Sequence, residues 1–224
     1  MKTINSIIAV FQRELQITYR NFSDILSIFL FFLIGVMIFV FSIGSNNDIF
    51  NQIGIGIIWT LILLTNNLTL RKFYQDDFND GSLVIFHLSG LSYELIVLIK
   101  IIVNWLVIQI PFIILIPISG FLLNIEVFNI KIIFISFLLG SPTITCITSI
   151  SGSMNLLNKK NFAVGSLIVM ILSIPVIIFS VGLINTSEKL IGAQINILMG
   201  IMFLFLAITP WVCSICIKLA LQEK

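Results

Sequence analysis

Six runs of 19 to 28 residues, apolar and almost free of charge, constrain this chain more than anything else in it. They fall at about 25–43, 52–70, 95–122, 131–152, 162–184 and 191–217. A bilayer core of about 30 Å is crossed by roughly 20 helical residues. Inside lipid the backbone must satisfy its own hydrogen bonds, so runs of this length read as transmembrane helices. Only 10% of the 224 residues are charged and 58% are hydrophobic, against roughly a quarter charged in a soluble domain. The expected fold is therefore an all-α integral membrane protein, a single transmembrane domain over 1–224. The third and sixth runs exceed a straight crossing, which predicts tilt or kinks. All five prolines (Pro111, Pro117, Pro142, Pro175 and Pro210) lie inside the runs.

Positive charge sets orientation. Lys2, Arg13, Arg20, Arg71, Lys72, Lys159, Lys160, Lys218 and Lys224 fall on one side, and Lys100 leans to it. Only Lys131 and Lys189 fall on the other. The predicted topology has both termini in the cytoplasm and short outer loops at 45–50, 124–130 and 185–190. Arg13 and Glu14 interrupt the first apolar stretch and no small-residue cleavage site follows, so a signal peptide is not expected. Residues 3–20 carry Ile4, Ile7, Ile8, Phe11 and Leu15 at helical spacing, with Gln12, Arg13, Gln16 and Arg20 elsewhere on the wheel. This reads as an amphipathic helix on the membrane surface, set off from the first span by Asn21, Ser23 and Asp24. The alternative is an N-terminal extension of that span. The net charge of +2 gives no ground for nucleic-acid binding.

The least expected segment is a polar island between spans two and three, in the loop at 71–90. Phe73, Tyr74 and Phe78 alternate there with Asp76, Asp77 and Asp80, three of the ten acidic residues, followed by Gly81 and Ser82. A short helix stopped by Gly81 would have an aromatic side and an acidic side. The acids would meet basic residues of a cytosolic partner, and the aromatics would fill a pocket or rest on the membrane. The alternative is a solvated loop. Span four carries Ser141, Thr145, Thr148 and Gly152 along one face, with Ser149 and Ser153 beside it. That pattern suits close helix packing, with a polar cargo path as the rival reading. Asn66, Asn67, Asn104, Gln109, Gln194 and Asn196 are amides in or near spans, read as interhelical bonding groups. Cys146, Cys213 and Cys216 read as packing residues, and the single His87 as structural or solvated. No span centre carries Asp or Glu, which argues against an ion-coupled carrier. The chain has no P-loop, no G-x-S-x-G and no H-E-x-x-H, so it is not expected to be an enzyme. Energy for any work would come from a separate ATPase.

These residues carry a resemblance to the CcmB family, permeases of cytochrome c maturation ABC complexes with an ABC-2-type fold. It runs nearly end to end. Its sharpest parts are Gly56-Ile-Ile-Trp59, the island from Phe73 to Ser82 with Leu83, and Leu139-Gly-Ser-Pro-Thr143. The family's F-x-x-D-x-x-D-G-[ST]-L-like loop is matched by Phe73, Asp77 or its neighbour Asp76, Asp80, Gly81, Ser82 and Leu83. Many members have His before the span-three Trp, where this chain has Asn104-Trp105, so no haem ligand is assigned there. The Pro-rich turn common after the loop is replaced by Ser89-Gly90-Leu91-Ser92.

The resemblance implies a short cytoplasmic coupling helix between spans two and three that docks an ATPase. It implies a CcmA-type ATPase that binds the ATP, and CcmC, CcmD and CcmE-type membrane partners. A second copy of the chain and surrounding lipid complete the expected contacts. Haem would be handled by the complex, with no cofactor bound by this chain. The implied work couples ATP hydrolysis to haem delivery and release of the haem-loaded chaperone. The implied place is a bacterial inner membrane, or a mitochondrial one. Two rivals remain at this level: an ABC-2 exporter of lipid, polysaccharide or drug, and a membrane scaffold without transport.

Overall fold

The computed structural model describes residues 2–44, 47–157, 162–185 and 188–222. The expected loops at 45–50 and 185–190 fall partly outside these residues, and Lys159, Lys160 and Lys224 wholly so. Among the described residues all regular structure is helical. The order is α1 (Lys2–Arg20), α2 (Phe22–Ile43), α3 (Asn47–Asn79), α4 (Ser82–Leu88) and α5 (Tyr93–Asn104). A π-helical turn (Trp105–Gln109) leads to α6 (Phe112–Leu122), then α7 (Val127–Leu157), α8 (Phe162–Asn185) and α9 (Glu188–Gln222). Six stretches are long and apolar enough to cross a membrane. They are Phe22–Ile43, Phe50–Asn79, Tyr93–Leu122, Ile130–Leu157, Val164–Leu183 and Leu190–Gln222.

The breaks follow local chemistry. α1 ends at Arg20 and α2 begins at Phe22, with Asn21 between them, so α1 is a helix separate from the first span. Gly81 takes a left-handed φ of 76° between α3 and α4, a conformation with little steric cost only for glycine. Ser92 caps α5 by accepting the backbone N–H of Leu95 at 3.3 Å. In the third span Pro111 has no N–H, and the turn before it is wound wide, with Ile110 N–H bonded to Trp105 C=O at 3.1 Å. The other four prolines sit within continuous helices.

α7 is the central pillar, packed against α3, α8 and α9. Its contact with α3 needs small residues. A Cβ on Gly140 would lie 2.3 Å from Trp59 Cη2, and one on Gly152 would lie 3.2 Å from Phe73 Cβ. Two apolar cores result. One joins α2, the N-terminal part of α3, α6, α7 and α8. The other joins α1, the C-terminal part of α3, α4, α5 and the C-terminal parts of α7 and α9.

Candidate functional site

The second core surrounds a cluster of charges where α1, α3, α4 and α5 meet. It exists because α3 does not end near residue 70, as span two is expected to; it continues through the polar island to Asn79. Helical steps of about 100° then sort the island into two faces. Phe73, Tyr74, Asp77 and Phe78 share the buried face, while Asp76, Asn79 and Asp80 are exposed. The expectation of aromatics and acids displayed to a partner from a separate short helix is corrected accordingly. All three aromatic rings, and one of the three acids, are used within the chain.

Asp77 Oδ1 lies 2.8 Å from Arg13 Nη1, and its Oδ2 is paired with Lys100 Nζ. Lys100 also bonds Glu14 Oε2 at 2.8 Å, and Arg13 bonds Glu14 Oε1 at 2.7 Å. The four groups form a closed ring, two cations and two anions alternating. Glu14 and Asp77 are 8% exposed and Lys100 is 5% exposed. Charges so enclosed persist only when paired, since desolvation costs several kcal/mol per ion. Arg13 reaches further. Its Nη2 donates to Ser82 Oγ at 3.1 Å, and its guanidinium lies 4.9 Å from the centre of the Phe86 ring. Burial disfavours the charged form of Arg13, but the hydrogen bond to Asp77 and the fields of Asp77 and Glu14 outweigh it and hold its pKa above the usual value.

The aromatics anchor the same corner. Tyr74 is fully buried, with its hydroxyl 2.6 Å from Ser149 Oγ on α7, and Ser149 Oγ is 3.4 Å from Cys213 Sγ on α9. Lys100 Nζ lies 5.9 Å from the Tyr74 ring centre. A second pin sits beside it. Glu94, in the first turn of α5, accepts from Ser214 and, at 3.3 Å, from Lys218 on α9. Lys218 approaches the Tyr93 ring, and His87 stacks on that ring at 4.3 Å.

Held this way, α4 turns Leu83 and Phe86 inward and leaves Val84, Ile85 and Leu88 outward, the last two 63% and 80% exposed. The seven-residue helix therefore displays an apolar face beside exposed Asp76 and Asp80. Ser82 is half-buried and bonded to Arg13, and Gly81 forms the turn.

The residues of the α7 stripe are all buried. Ser141 Oγ accepts from Trp105 Nε1 at 3.0 Å, while Thr145 and Thr148 donate to their own helix at Ser141 O and Ile144 O. Their hydroxyl protons are thus spent inside the bundle. Among the amides, Gln109 Nε2 donates to Asn66 Oδ1 at 2.5 Å, joining the π turn to α3. Among the described residues no three His, Cys, Asp or Glu side chains converge as a metal site.

Sequence reasoning used Arg13, Glu14 and Lys100 for topology, for the amphipathic helix and against a signal peptide, and paired none of them with Asp77. The available signal was an ionisable residue inside an apolar helix, which needs a partner of opposite charge. Lys100 is that residue.

The family described as CcmB protein matches residues 5–220. Heme exporter protein B of Haemophilus influenzae is 31% identical over 216 residues, covering 96% of this chain and 98% of that protein. Heme exporter protein B of Bradyrhizobium diazoefficiens is 28% identical over 213 residues, covering 94% and 96%. That of Pseudomonas aeruginosa is 24% identical over the same length, with the same coverage.

Proposed function

Because this chain belongs to the CcmB protein family, we propose that it is the membrane-spanning permease subunit of an ABC complex for haem export and c-type cytochrome maturation. The name borne by its relatives, heme exporter protein B, supports the cargo. The observation that carries the coupling role is the exposed apolar face of α4, tied through Arg13 to a buried charge ring. A CcmA-type ATPase docks on Val84, Ile85 and Leu88, with Asp76 and Asp80 meeting its basic residues. Hydrophobic anchors inside a charged rim suit such a contact.

In this reading α4 does not move alone. Ser82 and Phe86 hold Arg13 of α1, Arg13 holds Asp77 of α3, and Lys100 of α5 closes the ring. ATP-driven displacement of α4 therefore carries α1, α3 and α5 as one body. Coupling of this kind requires two arrangements of the bundle, which the ring and the π turn at Trp105–Gln109 would separate into moving and fixed parts. The product of that motion is haem delivery and release of a haem-loaded CcmE-type chaperone, with CcmC and CcmD-type proteins and a second copy of the chain as neighbours. The lysine and arginine distribution supports a cytoplasmic position for both termini and α4 in a bacterial inner-membrane protein.

The test is affinity purification of the tagged chain carrying Ile85→Asp and Leu88→Asp. We expect recovery of the ATPase to fall tenfold or more and c-type cytochromes to be lost, with the chain still present in the membrane. Unchanged ATPase recovery and normal cytochromes would overturn the docking assignment.

A further inference from the structure

Three connections join the helices of the charge ring to the rest of the bundle, and each is irregular. In the third span Val107 belongs to the second core and Ile108 to the first, so the boundary between cores falls inside the π turn. Ile110 N–H reaches back five residues to Trp105 C=O, whereas Ile113 and Ile114 reach back three, to Ile110 and Pro111 at 2.9 and 3.1 Å. A helix wound wide and then tight around a proline is a place to bend. In α3 the boundary lies between Leu70 and Phe73. Just before it, Thr65 and Asn66 donate to Ile62 O, Asn67 to Leu63 O and Thr69 to Asn66 O, at 2.7 to 3.4 Å. Side chains that bond back to their own helix weaken its ladder and bend it. Between α1 and α2 the chain leaves helical dihedrals at Asn21, with φ −92° and ψ 40°. Gln109 of the π turn donates to Asn66, which ties two of these joints at one level.

A cavity of about 350 Å³ lies between the ring and α2, and all three joints border it. Asn21, Leu68 with Thr69, and Asn104 with Ile108 line its wall. Arg13, Glu14, Asp77 and Lys100 stand on one side of it, and Ile25, Ser27 and Ile28 of α2 on the other. Its lining contains no residue of α7 or α9. Along that far edge the Tyr74 hydroxyl meets Ser149 of α7, and Glu94 accepts from Ser214 of α9. The ring helices are thus jointed where they enter the rest of the bundle, held along one edge, and flanked by open volume on the other. Packed cores leave few voids, so volume bordered by joints is room for movement.

We propose that this cavity is the space swept by a rigid-body closure. α1, α4, α5 and the end of α3 rotate about the α7–α9 edge onto α2, bending at Asn21, at Thr65–Thr69 and in the π turn. A few residues at element ends suffice to absorb such a rotation. The closure rests on the coupling reading only for its drive, since a displaced α4 is the handle on the rotating body. It adds to that reading the joints, the direction and the helix that receives the motion.

The experiment measures distances between nitroxide labels in the full chain, in lipid nanodiscs and without an ATPase. Cys146, Cys213 and Cys216 are first replaced by alanine. Leu30→Cys on α2 with Leu95→Cys on α5 reads the gap across the cavity. Leu30→Cys with Leu167→Cys on α8 is the control, because α2 and α8 both pack in the first core. All three leucines are exposed. We expect the α2–α5 distance distribution to be at least twice as broad as the control, with a distinct shorter component. Ser27→Trp fills the cavity from an exposed position and should remove the shorter component. Pro111→Ala restores a backbone N–H and should narrow the distribution. A distribution as narrow as the control, or one that neither variant changes, overturns the closure whether or not an ATPase docks on α4. With co-purified ATPase and ATP the shorter component should grow at least twofold. If it is present in the chain alone and does not grow, the joints stand and the coupling reading fails.

Discussion

Lys100 reaches the carboxylates of Glu14 and Asp77 from within a membrane helix, and its removal has a calculable consequence. Lys100→Met would leave two buried carboxylates facing Arg13 alone. Breaking a buried ion network by deleting one partner costs about 3–5 kcal/mol, most of it the burden of the charge left behind. We expect a clear loss of thermal stability in detergent, partly restored when Asp77→Asn is added. A coupling of 0.5 kcal/mol or more in the double-mutant cycle is the signature of direct interaction. Strict additivity would show that the two groups are energetically independent. The residue types of this ring were readable as charge in an apolar chain, but their pairing was not. Arg13 and Glu14 lie 63 or more positions from Asp77 and 86 or more from Lys100, and local spacing carries no information about contacts at that range.

At the scale of elements, α7 and α3 approach as closely as their glycines allow. Gly140→Ala would place a methyl 2.3 Å from the Trp59 ring edge, and an indole held in a packed core has little room to retreat. Overpacking of this kind costs about 1–3 kcal/mol. Gly56→Ala is the control on α3. A Cβ there meets nothing within 4 Å, so it should be neutral or stabilising by about 0.5–1 kcal/mol through helix propensity. Chemical unfolding of both variants in the same detergent reads the difference. If the two variants behave alike, close packing at Gly140 is not what holds these helices together. The six spans were legible because a hydrophobic run of bilayer length has one structural solution. The end of α3 was less so. The charges of Arg71 and Lys72, followed by the acidic island, suggest a boundary near residue 70, yet Phe73, Tyr74, Asp77 and Phe78 keep helical spacing on one buried face. Charge density masked a helix whose period was intact, and it shifted the separate short helix to Ser82–Leu88.

For the whole molecule, Leu88 and Phe121 lie before the start and near the end of the third span and are 80% and 84% exposed. Leu88→Cys and Phe121→Cys should therefore react with a membrane-impermeant maleimide from opposite sides, Leu88→Cys from the cytoplasm. Labelling of Leu88→Cys from the outside would invert the proposed orientation and remove α4 from any cytosolic ATPase. Sequence by itself determined that the chain is helical and has six runs of bilayer length; it favoured a separate amphipathic helix at 3–20, and the break at Asn21 settled that against an extension of the first span. Those properties follow from composition and period, which act over one or two turns and are enforced by a solvent that cannot hydrogen-bond the backbone. Tertiary structure alone decided which charges face inward and which face of α4 stays bare. Each depends on helices remote in sequence meeting at a set rotation. That rotation is chosen by the packing of small residues and the pairing of buried charge across the whole bundle.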